Sequence, residues 1–385
     1  MKIGWTNRNY NVERMIVNKV LGAEYVHSHS YAACVSQMLD SVHVPRRGGL
    51  YFGASYIGGT ADHRVDLFHF FNLLGCGLCK KTYVTTFETS VPRGLKPEDY
   101  WFKRGLESIM SDQCRKMLAL SDCAKRIQMS ALRPILSDSD MVLLERKIEV
   151  LHPPQKVFRQ SDELWAKMSR GNSLKAVFVG SDFFRKGGGE ILRAFIRLRK
   201  EYPVDLWIIG DLTRHGYACY PRLDDTDLHL RLIKENKGWI HWHPALSNTK
   251  VLELMRTCDI GLLPTRADTY GYSVLEMQSC GLPVVTTDVR ALPEINDDDC
   301  GWVIRGCGKR DGMGVWGEAD YSTPDKLVEL SQRIERGVYE KVAEAIVNRE
   351  TVVRKGMASL ARVVAEHDPQ NYGSRLSVIY RDALS

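Results

Sequence analysis

The sequence predicts an α/β protein with parallel sheets and two domains. Between residues 175 and 305, β-branched and aromatic runs alternate with amphipathic segments, a pattern that indicates a doubly wound parallel sheet. The length of 385 residues corresponds to two domains of ordinary size, and a hydrophobic content of 44% can fill two cores. After residue 325 the pattern is helical, and it ends in an amphipathic segment at 371–383.

Residues 259–294 contain the clearest strand, loop, helix and strand pattern. Residues 259–264 are an apolar run closed by a proline, and residues 283–288 are a second run rich in Val and Thr. Between them lie Gly271 and a short helix that ends before Gly281. A helix that begins at the carboxyl edge of a parallel sheet presents free N–H groups and the positive end of its dipole, which favours a bound diphosphate.

Two carboxylates in this stretch are candidate ligand-binding groups. Asp268 lies on the predicted loop, and Glu276 follows eight residues later, about one turn into the predicted helix. Glu276 can accept two hydrogen bonds from a ribose diol, while Asp268 can hold sugar hydroxyls. The alternative is a solvated helix residue at Glu276 and a helix cap at Asp268, and the spacing alone does not separate these interpretations.

The stretch resembles the nucleotide-sugar signature of retaining glycosyltransferases of family 4, which have the GT-B fold. That signature has an acid, seven residues and a glutamate, then a small residue with Cys-Gly-x-Pro-Val-Val, and later Pro-Glu. The corresponding residues here are Asp268, Glu276, residues 279–285 and residues 293–294. Two positions depart from it: Asp268, where glutamate is commoner, and Thr269, where glycine is usual. The shorter acid implies a different sugar selectivity.

The resemblance implies two Rossmann-like doubly wound domains that face a cleft, with a C-terminal helix that crosses back to the first domain. The predicted boundaries are an acceptor-side domain at 1–152, a linker at 153–174, a nucleotide-sugar-binding domain at 175–368 and the returning helix at 369–385. The resemblance covers residues 175–305 strongly and residues 60–95 weakly.

A basic loop after the predicted strand at 175–179 is the second part of the implied donor site. Its Arg185-Lys186-Gly187 sequence places two cations and a flexible residue where the family has a phosphate-binding Lys-Gly. The alternative is a basic turn on the surface. Ser181 replaces a frequent family Arg, in a variant that resembles lipopolysaccharide-core glucosyltransferases, where the cation lies beside the Lys.

The resemblance implies roles for individual residues. The implied catalytic residues are Glu88, Asp268, Arg185 and Lys186. The implied donor-binding residues are Glu276, Thr269, Tyr270, Gly271, Tyr272, Ser273, Gly180, Ser181 and His243. The strand that ends near His243 contacts the nucleobase largely through its backbone in this family. Attack on the face from which the leaving group departs implies no separate protein nucleophile.

The acceptor side is less like the family. Members commonly have Thr-x-His at the end of the strand predicted at 81–87, and Glu88 stands here in place of that histidine. Glu88 is interpreted as a group that orients an acceptor hydroxyl or contacts the donor sugar, against the alternative of a cap for the next segment. Arg93 and His69 are further acceptor-side candidates, and His69 is alternatively a structural histidine. Residues 7–9 replace the Gly-rich loop of the family.

The implied partners are a nucleotide sugar, with UDP favoured by family frequency, and a glycan or lipid-linked acceptor. No cofactor and no metal are predicted. The acidic runs at 224–227 and 297–299 are interpreted as acidic loops, because GT-B enzymes generally need no cation. The ten cysteines lack regular spacing and are interpreted as reduced packing residues, including Cys76 and Cys79.

Nearly all of the net charge of +6 falls within residues 1–150. Basic doublets at 103–104, 115–116 and 125–126 lie within the stretch 100–130, whose apolar spacing predicts helix. They form either a basic flank for anionic lipid or a phosphorylated acceptor, or a solvated helix face. No nucleic-acid-binding pattern is present. No apolar run approaches the ~20 residues that span a bilayer, and no apolar signal core is found. These features predict a cytoplasmic protein, and the basic flank described above would allow peripheral contact with a membrane.

These observations give two main hypotheses of function. The first is a retaining, metal-independent hexosyltransferase that uses a nucleotide sugar. The second is a catalytically silent GT-B protein that binds a nucleotide sugar or glycan as a sensor or assembly partner, for which the departures at Asp268, Thr269 and Glu88 leave room. A nucleotide-sugar oxidoreductase or epimerase would need a Gly-x-Gly-x-x-Gly turn after the first strand, and residues 1–14 have none.

Overall fold

The structure is a computed structural model that describes residues 1–31, 55–159, 173–214, 217–310 and 316–385. This part of the chain divides into two compact units. Unit 1 comprises Met1–Pro154 and His367–Ser385, and unit 2 comprises Gln155–Glu366. Most of the predicted linker, residues 160–172, lies outside the described residues.

Unit 1 has a six-stranded parallel sheet with the order β2-β1-β4-β6-β7-β8. Its strands are β1 (Lys2–Trp5), β2 (Glu24–His27), β3 (Ser55–Tyr56), β4 (Leu67–Phe71), β5 (Leu74–Gly75), β6 (Tyr83–Phe87), β7 (Cys114–Ala119) and β8 (Ile148–Val150), of which β3 and β5 pair separately. β4 and β6 are buried along their whole length. Central strands of parallel sheets are covered on both faces, which explains these apolar runs. The strand order reverses between β1 and β4.

The helical prediction for residues 100–130 is wrong in its middle part. Unit 1 has the helices α1 (Tyr10–Met15), α2 (Tyr100–Met110), α3 (Asp122–Leu132) and α4 (Asp138–Lys147). β7 lies between α2 and α3 in sequence and between β6 and β8 in the sheet, with Met117 and Leu118 buried. A strand that is buried on both faces lacks polar alternation, so its apolar residues fit a helical spacing by chance.

Unit 2 has a parallel sheet with the order β11-β10-β9-β12-β13-β14. Its strands are β9 (Leu174–Val179), β10 (Val204–Ile209), β11 (Ile240–His243), β12 (Ile260–Leu263), β13 (Val284–Thr287) and β14 (Gly301–Ile304), followed by the antiparallel pair β15 (Gly308–Arg310) and β16 (Trp316–Ala319). Counted along the chain, the six parallel strands have the order 3-2-1-4-5-6, which is the Rossmann arrangement.

Amphipathic helices cover this sheet. They are α5 (Gly188–Leu198), α6 (Thr226–Glu235), α7 (Asn248–Thr257), α8 (Tyr272–Ser279), α9 (Leu292–Ile295), α10 (Pro324–Val347) and α11 (Arg349–Glu366). α5 buries Ile191, Phe195 and Leu198 on one stripe and packs against α10. The Thr323 side chain caps α10, and Pro324 occupies its first position, where no N–H is needed.

The last helix, α12 (Pro369–Leu384), returns to unit 1. Its Tyr372 hydroxyl donates to the Met15 carbonyl oxygen at 2.7 Å, and the Arg375 guanidinium forms two hydrogen bonds of 2.6 and 2.7 Å with the Glu149 carboxylate. The predicted fold class of two Rossmann-like domains and a returning C-terminal helix is therefore confirmed. Within the described ranges, no helix combines the length and apolar character that a bilayer crossing requires.

Candidate active site

The strand order of unit 2 reverses between β9 and β12. In open α/β sheets, ligands bind in the crevice outside the carboxyl ends of the strands that flank such a reversal. The chain leaves β9 into residues 180–187, and it leaves β12 into residues 264–271. These two loops contain most of the residues predicted to bind the donor, so the fold brings together segments that are far apart in sequence.

Both loops lead into helices that begin after a glycine. Gly187 precedes α5 with φ 85°, Gly271 precedes α8 with φ 97°, and no side chain caps either first turn. A Cβ atom at Gly187 would lie 2.2 Å from the Pro264 carbonyl oxygen, so only glycine lets the two loops approach this closely. The first-turn N–H groups of α5 and α8 thus place the positive ends of two helix dipoles at the switch point.

Lys186 connects the two loops. Its aliphatic chain lies over Gly180, where a Cβ atom would come within 2.6 Å of Lys186 Cδ. The Lys186 ammonium nitrogen lies 3.7 Å from Asp268 Oδ2, and the two side chains are only 18% and 13% exposed. The fold therefore pairs the cation and the acid that the sequence singled out separately.

Arg185 is held more tightly than Lys186. Its guanidinium forms an ion pair with Asp182, donates through Nη1 to the Ala267 carbonyl oxygen at 2.6 Å, and lies 5.2 Å from the centre of the Tyr217 ring. Burial alone would lower the pKa of Arg185, but Asp182 and Tyr217 raise it above its ordinary value. Arg185 is a fixed cation whose charge is shared with Asp182, whereas the Lys186 ammonium forms no hydrogen bond with another described residue.

A buried ion cluster beneath these loops was not found from the sequence. Arg266 is fully buried and donates from Nε to Glu190 at 3.0 Å and from Nη1 and Nη2 to the two oxygens of Asp224 at 2.8 and 2.9 Å. Burial would lower the pKa of Arg266, but the carboxylates of Glu190 and Asp224 raise it. The backbone N–H of Arg266 also donates to the Arg185 carbonyl oxygen at 2.8 Å. Arg266 therefore fastens the loop after β12 to α5 and to the loop after β9.

Polar atoms without hydrogen bonds lie at the start of α8. Asp268 Oδ1 accepts from the Tyr270 N–H at 3.4 Å, while Oδ2 has no hydrogen-bond donor among the described residues. The Ser273 hydroxyl is also buried without a hydrogen bond in this part of the structure. The Tyr270 and Tyr272 rings pack 5.3 Å apart beside it, and Thr269 is half-buried. A bound ligand can satisfy buried polar atoms of this kind.

The other predicted donor residues lie at the same edge of the sheet. Glu276 is half-buried one turn into α8, and Ser181 is exposed on the loop after β9. His243 ends β11 and is half-buried, and its carbonyl oxygen accepts the Gly210 N–H at 3.0 Å. β11 is two strands from β9, so His243 lies about 10 Å to the side of the switch point by strand spacing.

Glu88 is the centre of a hydrogen-bonded cluster at the carboxyl edge of the unit 1 sheet. Only 8% of Glu88 is exposed. Its Oε1 accepts from Asn11 at 3.3 Å, and its Oε2 accepts from Asn72 at 3.3 Å and from Arg93 at 3.0 Å. These residues follow β1, β4 and β6, so they flank the reversal in strand order of unit 1. Glu88 is thus a fixed carboxylate that orients the half-exposed Arg93 guanidinium.

His69 does not reach this edge. It is fully buried in β4, where Nδ1 lies 2.6 Å from the Tyr380 hydroxyl of α12 and Nε2 lies 2.7 Å from the Thr86 hydroxyl. Burial lowers the pKa of His69 to about 3. His69 is therefore placed as a structural histidine, the alternative considered from the sequence, and not on an acceptor-binding surface.

The aspartates of the two acidic runs pair with arginines, and the cysteines are free thiols. Asp224 is not an exposed acidic loop residue, because it is fully buried against Arg266. Asp297 accepts from the backbone N–H of Asp299 at 3.0 Å and forms an ion pair with Arg362.

Among the described residues, no group of three or more His, Cys, Asp or Glu side chains is arranged to hold a metal. The described cysteines are all free thiols, and burial raises the pKa of Cys79 to about 12.

The basic doublets of unit 1 do not form one helix face. They lie on three different elements, α2, β7 and α3, so the expectation of a helical face is wrong for the doublet at 115–116. One member of each doublet also faces a carboxylate, with the pairs Arg104–Glu107, Lys116–Glu149 and Lys125–Glu145. The structure gives no support to a membrane contact through these residues.

The two Rossmann-like units correspond to the GT-B fold. Residues 173–310 match the family model described as Glycosyl transferases group 1. A glycogen synthase from Mycobacterium tuberculosis is 27% identical over 156 residues, which are 39% of this chain and 34% of the relative. A D-inositol 3-phosphate glycosyltransferase from Mycobacterium bovis is 26% identical over 235 residues, which are 58% of this chain and 45% of the relative.

Solved structures share the fold over the whole chain. A glycosyltransferase from Rickettsia africae has a TM-score of 0.62 and 15% identity, and the match covers 100% of this chain and 98% of the other. HepE from Anabaena, solved in complex with UDP, has a TM-score of 0.55 and 12% identity, and the match covers 99% of this chain and 100% of the other. The matches to the two curated relatives span less than half of the length of either relative.

Proposed function

We propose that the protein is a retaining glycosyltransferase that moves a hexose from a nucleotide diphosphate sugar, with UDP favoured, to a hydroxyl group of a glycan or glycolipid. The observation that carries this proposal is the convergence of Lys186, Asp268 and Ser273 at the switch point of the unit 2 sheet, between the starts of α5 and α8. Sugar transfer agrees with the two relatives named above, and the preference for UDP agrees with HepE.

Each part of the donor has a candidate partner. The diphosphate is proposed to lie between the first turns of α5 and α8, where it accepts hydrogen bonds from backbone N–H groups, from Ser273 and from Lys186. Glu276 is proposed to accept the ribose hydroxyls, because a carboxylate can take two parallel hydrogen bonds from a diol. Asp268 is proposed to hold hydroxyls of the transferred sugar through its unsatisfied oxygen.

The proposed chemistry is electrostatic. As the glycosidic bond to the diphosphate breaks, negative charge accumulates on the leaving phosphate, and fixed positive groups stabilise it. Lys186 supplies an ammonium group, Arg185 supplies a guanidinium held by Asp182, and the two helix starts supply oriented dipoles. These groups provide the positive charge without a metal ion. The acceptor hydroxyl attacks on the face that the diphosphate leaves, so the anomeric configuration is retained.

The acceptor is proposed to contact unit 1. Glu88 already receives hydrogen bonds on both oxygens, so we assign it the orientation of Arg93 and of the acceptor rather than proton removal. Arg93 is half-exposed and presents N–H donors to acceptor hydroxyls or to an anionic group.

A donor panel tests the function directly. UDP-, GDP- and ADP-hexoses are compared by thermal unfolding, since a ligand that binds the folded state raises its melting temperature. Nucleotide release is then measured with oligosaccharide and glycolipid acceptors, with and without EDTA, and the anomeric configuration of the product is read by NMR. We expect one class of nucleotide sugar to raise the melting temperature. We also expect nucleotide release that EDTA does not abolish, and a product that retains the anomeric configuration of the donor.

The same experiment separates the catalytically silent alternative. A protein that senses a nucleotide sugar would show the thermal shift without nucleotide release to any acceptor or to water. Inversion at the anomeric carbon would overturn the retaining assignment, and the absence of any thermal shift would overturn nucleotide-sugar binding itself.

A further inference from the structure

A second concave region of unit 2 lies away from the switch point. It has a volume of about 530 Å³ and is formed by β14 with the flanking residues Asp298 and Arg305, by one face of α10 and by Lys355 of α11. β14 is the outer strand of the sheet, two positions beyond β12, so the cavity is about 10 Å or more from the candidate active site by strand spacing. Ligand pockets commonly measure about 300–1,000 Å³, so the cavity can hold a small molecule.

Lys355 of α11 brings a buried ammonium group to this cavity. Only 5% of Lys355 is exposed, and its Nζ donates to the carbonyl oxygens of Asp298 and, at 2.7 Å, Gly301. The Trp302 ring centre lies 5.1 Å away. An ammonium group has three donors, and carbonyl oxygens occupy two of them without cancelling the charge. Burial lowers the pKa of Lys355, as expected where the charged form is poorly compensated.

Two arginines on α10 line the same cavity. Arg333 and Arg336 are three residues apart and therefore share one face of the helix. Both side chains are exposed, and neither forms an ion pair within the described parts of the chain. Gly306 makes room for one of them, because a Cβ atom there would lie 2.7 Å from Arg333 Nη1.

Most other charges around the cavity cancel in pairs. Arg305 forms an ion pair with Asp298, and Lys341 lies 3.6 Å from Glu344. The Trp302 indole N–H also donates to Glu344 at 2.9 Å, which holds this carboxylate at the wall. These pairs contribute no net charge to the cavity.

The remaining groups give the cavity an excess of positive charge. Among the described residues that line the cavity, Glu340 is the one further carboxylate beside Lys355, Arg333 and Arg336, which leaves two positive charges uncompensated. A phosphate monoester carries about −1.5 to −2 charges near pH 7 and has three strong acceptor oxygens. Its charge matches the excess, and its oxygens match the guanidinium forks and the third ammonium donor.

We infer that this cavity is a second ligand site, separate from the donor site and specific for a phosphate monoester. Lys355, Arg333 and Arg336 bind the phosphate group. The polar wall around Glu340 and Glu344 suits hydroxyl groups attached to the phosphate, which favours a phosphorylated sugar over bare phosphate.

Binding to the full-length protein tests this inference. Calorimetric titrations use inorganic phosphate and a hexose 6-phosphate, and a sedimentation assay uses vesicles that contain phosphatidic acid, so that a soluble ligand and a lipid headgroup are distinguished. In the double variant Arg333→Ala/Arg336→Ala, we expect at least about tenfold weaker binding of the ligand that binds the wild type, because hydrogen bonds to charged groups are the strong ones. Both substitutions are at exposed positions, so folding should be preserved.

Two control proteins make the outcome decisive. Arg231→Ala/Lys234→Ala removes two exposed cations with the same three-residue spacing from α6, and it should bind the phosphate ligand like the wild type. Glu276→Ala alters the candidate donor site and should also leave this binding unchanged. Equal binding to the wild type and to the α10 variant, loss of binding with Glu276→Ala, or no binding of any of the three probes overturns the inference.

Discussion

The Lys186 ammonium lies 3.7 Å from the Asp268 carboxylate, across the two loops that leave β9 and β12. The distance is too long for a hydrogen bond, so the pair is held by charge alone. A diphosphate that enters between α5 and α8 would compete with Asp268 for the ammonium group and free the carboxylate for sugar hydroxyls. In the proposed donor complex, Lys186 would therefore link phosphate binding to sugar binding.

Lys186→Met should reduce turnover more than it reduces donor affinity. The substitution keeps the aliphatic chain over Gly180 but removes the charge that stabilises the leaving diphosphate. Loss of one such electrostatic group typically costs about 10²–10³-fold in kcat. Steady-state kinetics with saturating donor measure the effect, with Lys186→Arg as the variant that keeps the charge. A Lys186→Met enzyme with wild-type kcat would remove Lys186 from the catalytic residues.

Glu276→Ala should weaken donor binding through the nucleoside part. If Glu276 accepts two ribose hydrogen bonds, the donor Kd and KM should rise by about tenfold or more, since hydrogen bonds to charged groups are worth about 1.5–3 kcal/mol. Calorimetric titration with the preferred nucleotide measures the change. Glu253→Ala is the matched control, because Glu253 is an exposed glutamate on α7 of the same unit. A wild-type Kd for Glu276→Ala would contradict the ribose assignment.

Arg266→Met should destabilise the protein strongly. It would remove the ion-pair partner of the buried Asp224 carboxylate and leave the buried Glu190 carboxylate with Arg193 at 3.7 Å, a change that costs about 3–5 kcal/mol. Arg197→Met is the control, because Arg197 is 55% exposed and its pair with Glu335 contributes about 0–1 kcal/mol. Urea unfolding followed by tryptophan fluorescence compares the two variants. Equal losses of stability would show that the cluster beneath the site has no special role.

The candidate site could be predicted where its parts are local in sequence. β9 and β12 are apolar runs followed at once by glycine or proline, and the residue spacing that carries the family resemblance lies within single loops. Arg266 could not be predicted, because its two partners are 76 and 42 residues away and only the fold brings them together. The burial of Asp224 cannot be predicted for the same reason, because its neighbours in sequence are acidic and its partner Arg266 is 42 residues away. The apolar residues of β7 fit a helical spacing because its buried residues Met117, Leu118 and Ala119 are consecutive and show no polar alternation.

Glu88→Gln should impair the use of the acceptor and leave donor binding intact. The substitution leaves a single acceptor oxygen, so it can keep only one of the hydrogen bonds from Asn11 and Asn72, and it removes the charge that holds Arg93. We expect the acceptor kcat/KM to fall by about tenfold or more, in line with the loss of a charged hydrogen bond, while the donor Kd stays unchanged. A double-mutant cycle with Arg93→Ala tests whether the two residues act together. Additive effects in that cycle would argue against the proposed orientation of Arg93 by Glu88.

His69 should make the stability of the protein depend on pH. Its pKa is about 3 in the folded protein, against an ordinary value of 6.5, because burial between Thr86 and Tyr380 disfavours the charged form. Between these two values the unfolded chain binds one more proton at this residue than the folded chain does. Stability therefore falls as the pH falls through this range, by about 1.4 kcal/mol per pH unit from His69.

The pH dependence of His69→Gln isolates this contribution from those of the other titrating groups. The variant loses stability at pH 7 because the buried hydrogen bonds change, but its urea midpoint should fall less steeply than that of the wild type between pH 6.5 and pH 4.5. His63→Gln, at an exposed position of the same unit, should keep the wild-type slope. If the urea midpoints of His69→Gln and His63→Gln change equally with pH, the neutral imidazole of His69 does not link folding to pH. The contact between α12 and β4 through His69 and Tyr380 must then accommodate the protonated imidazole.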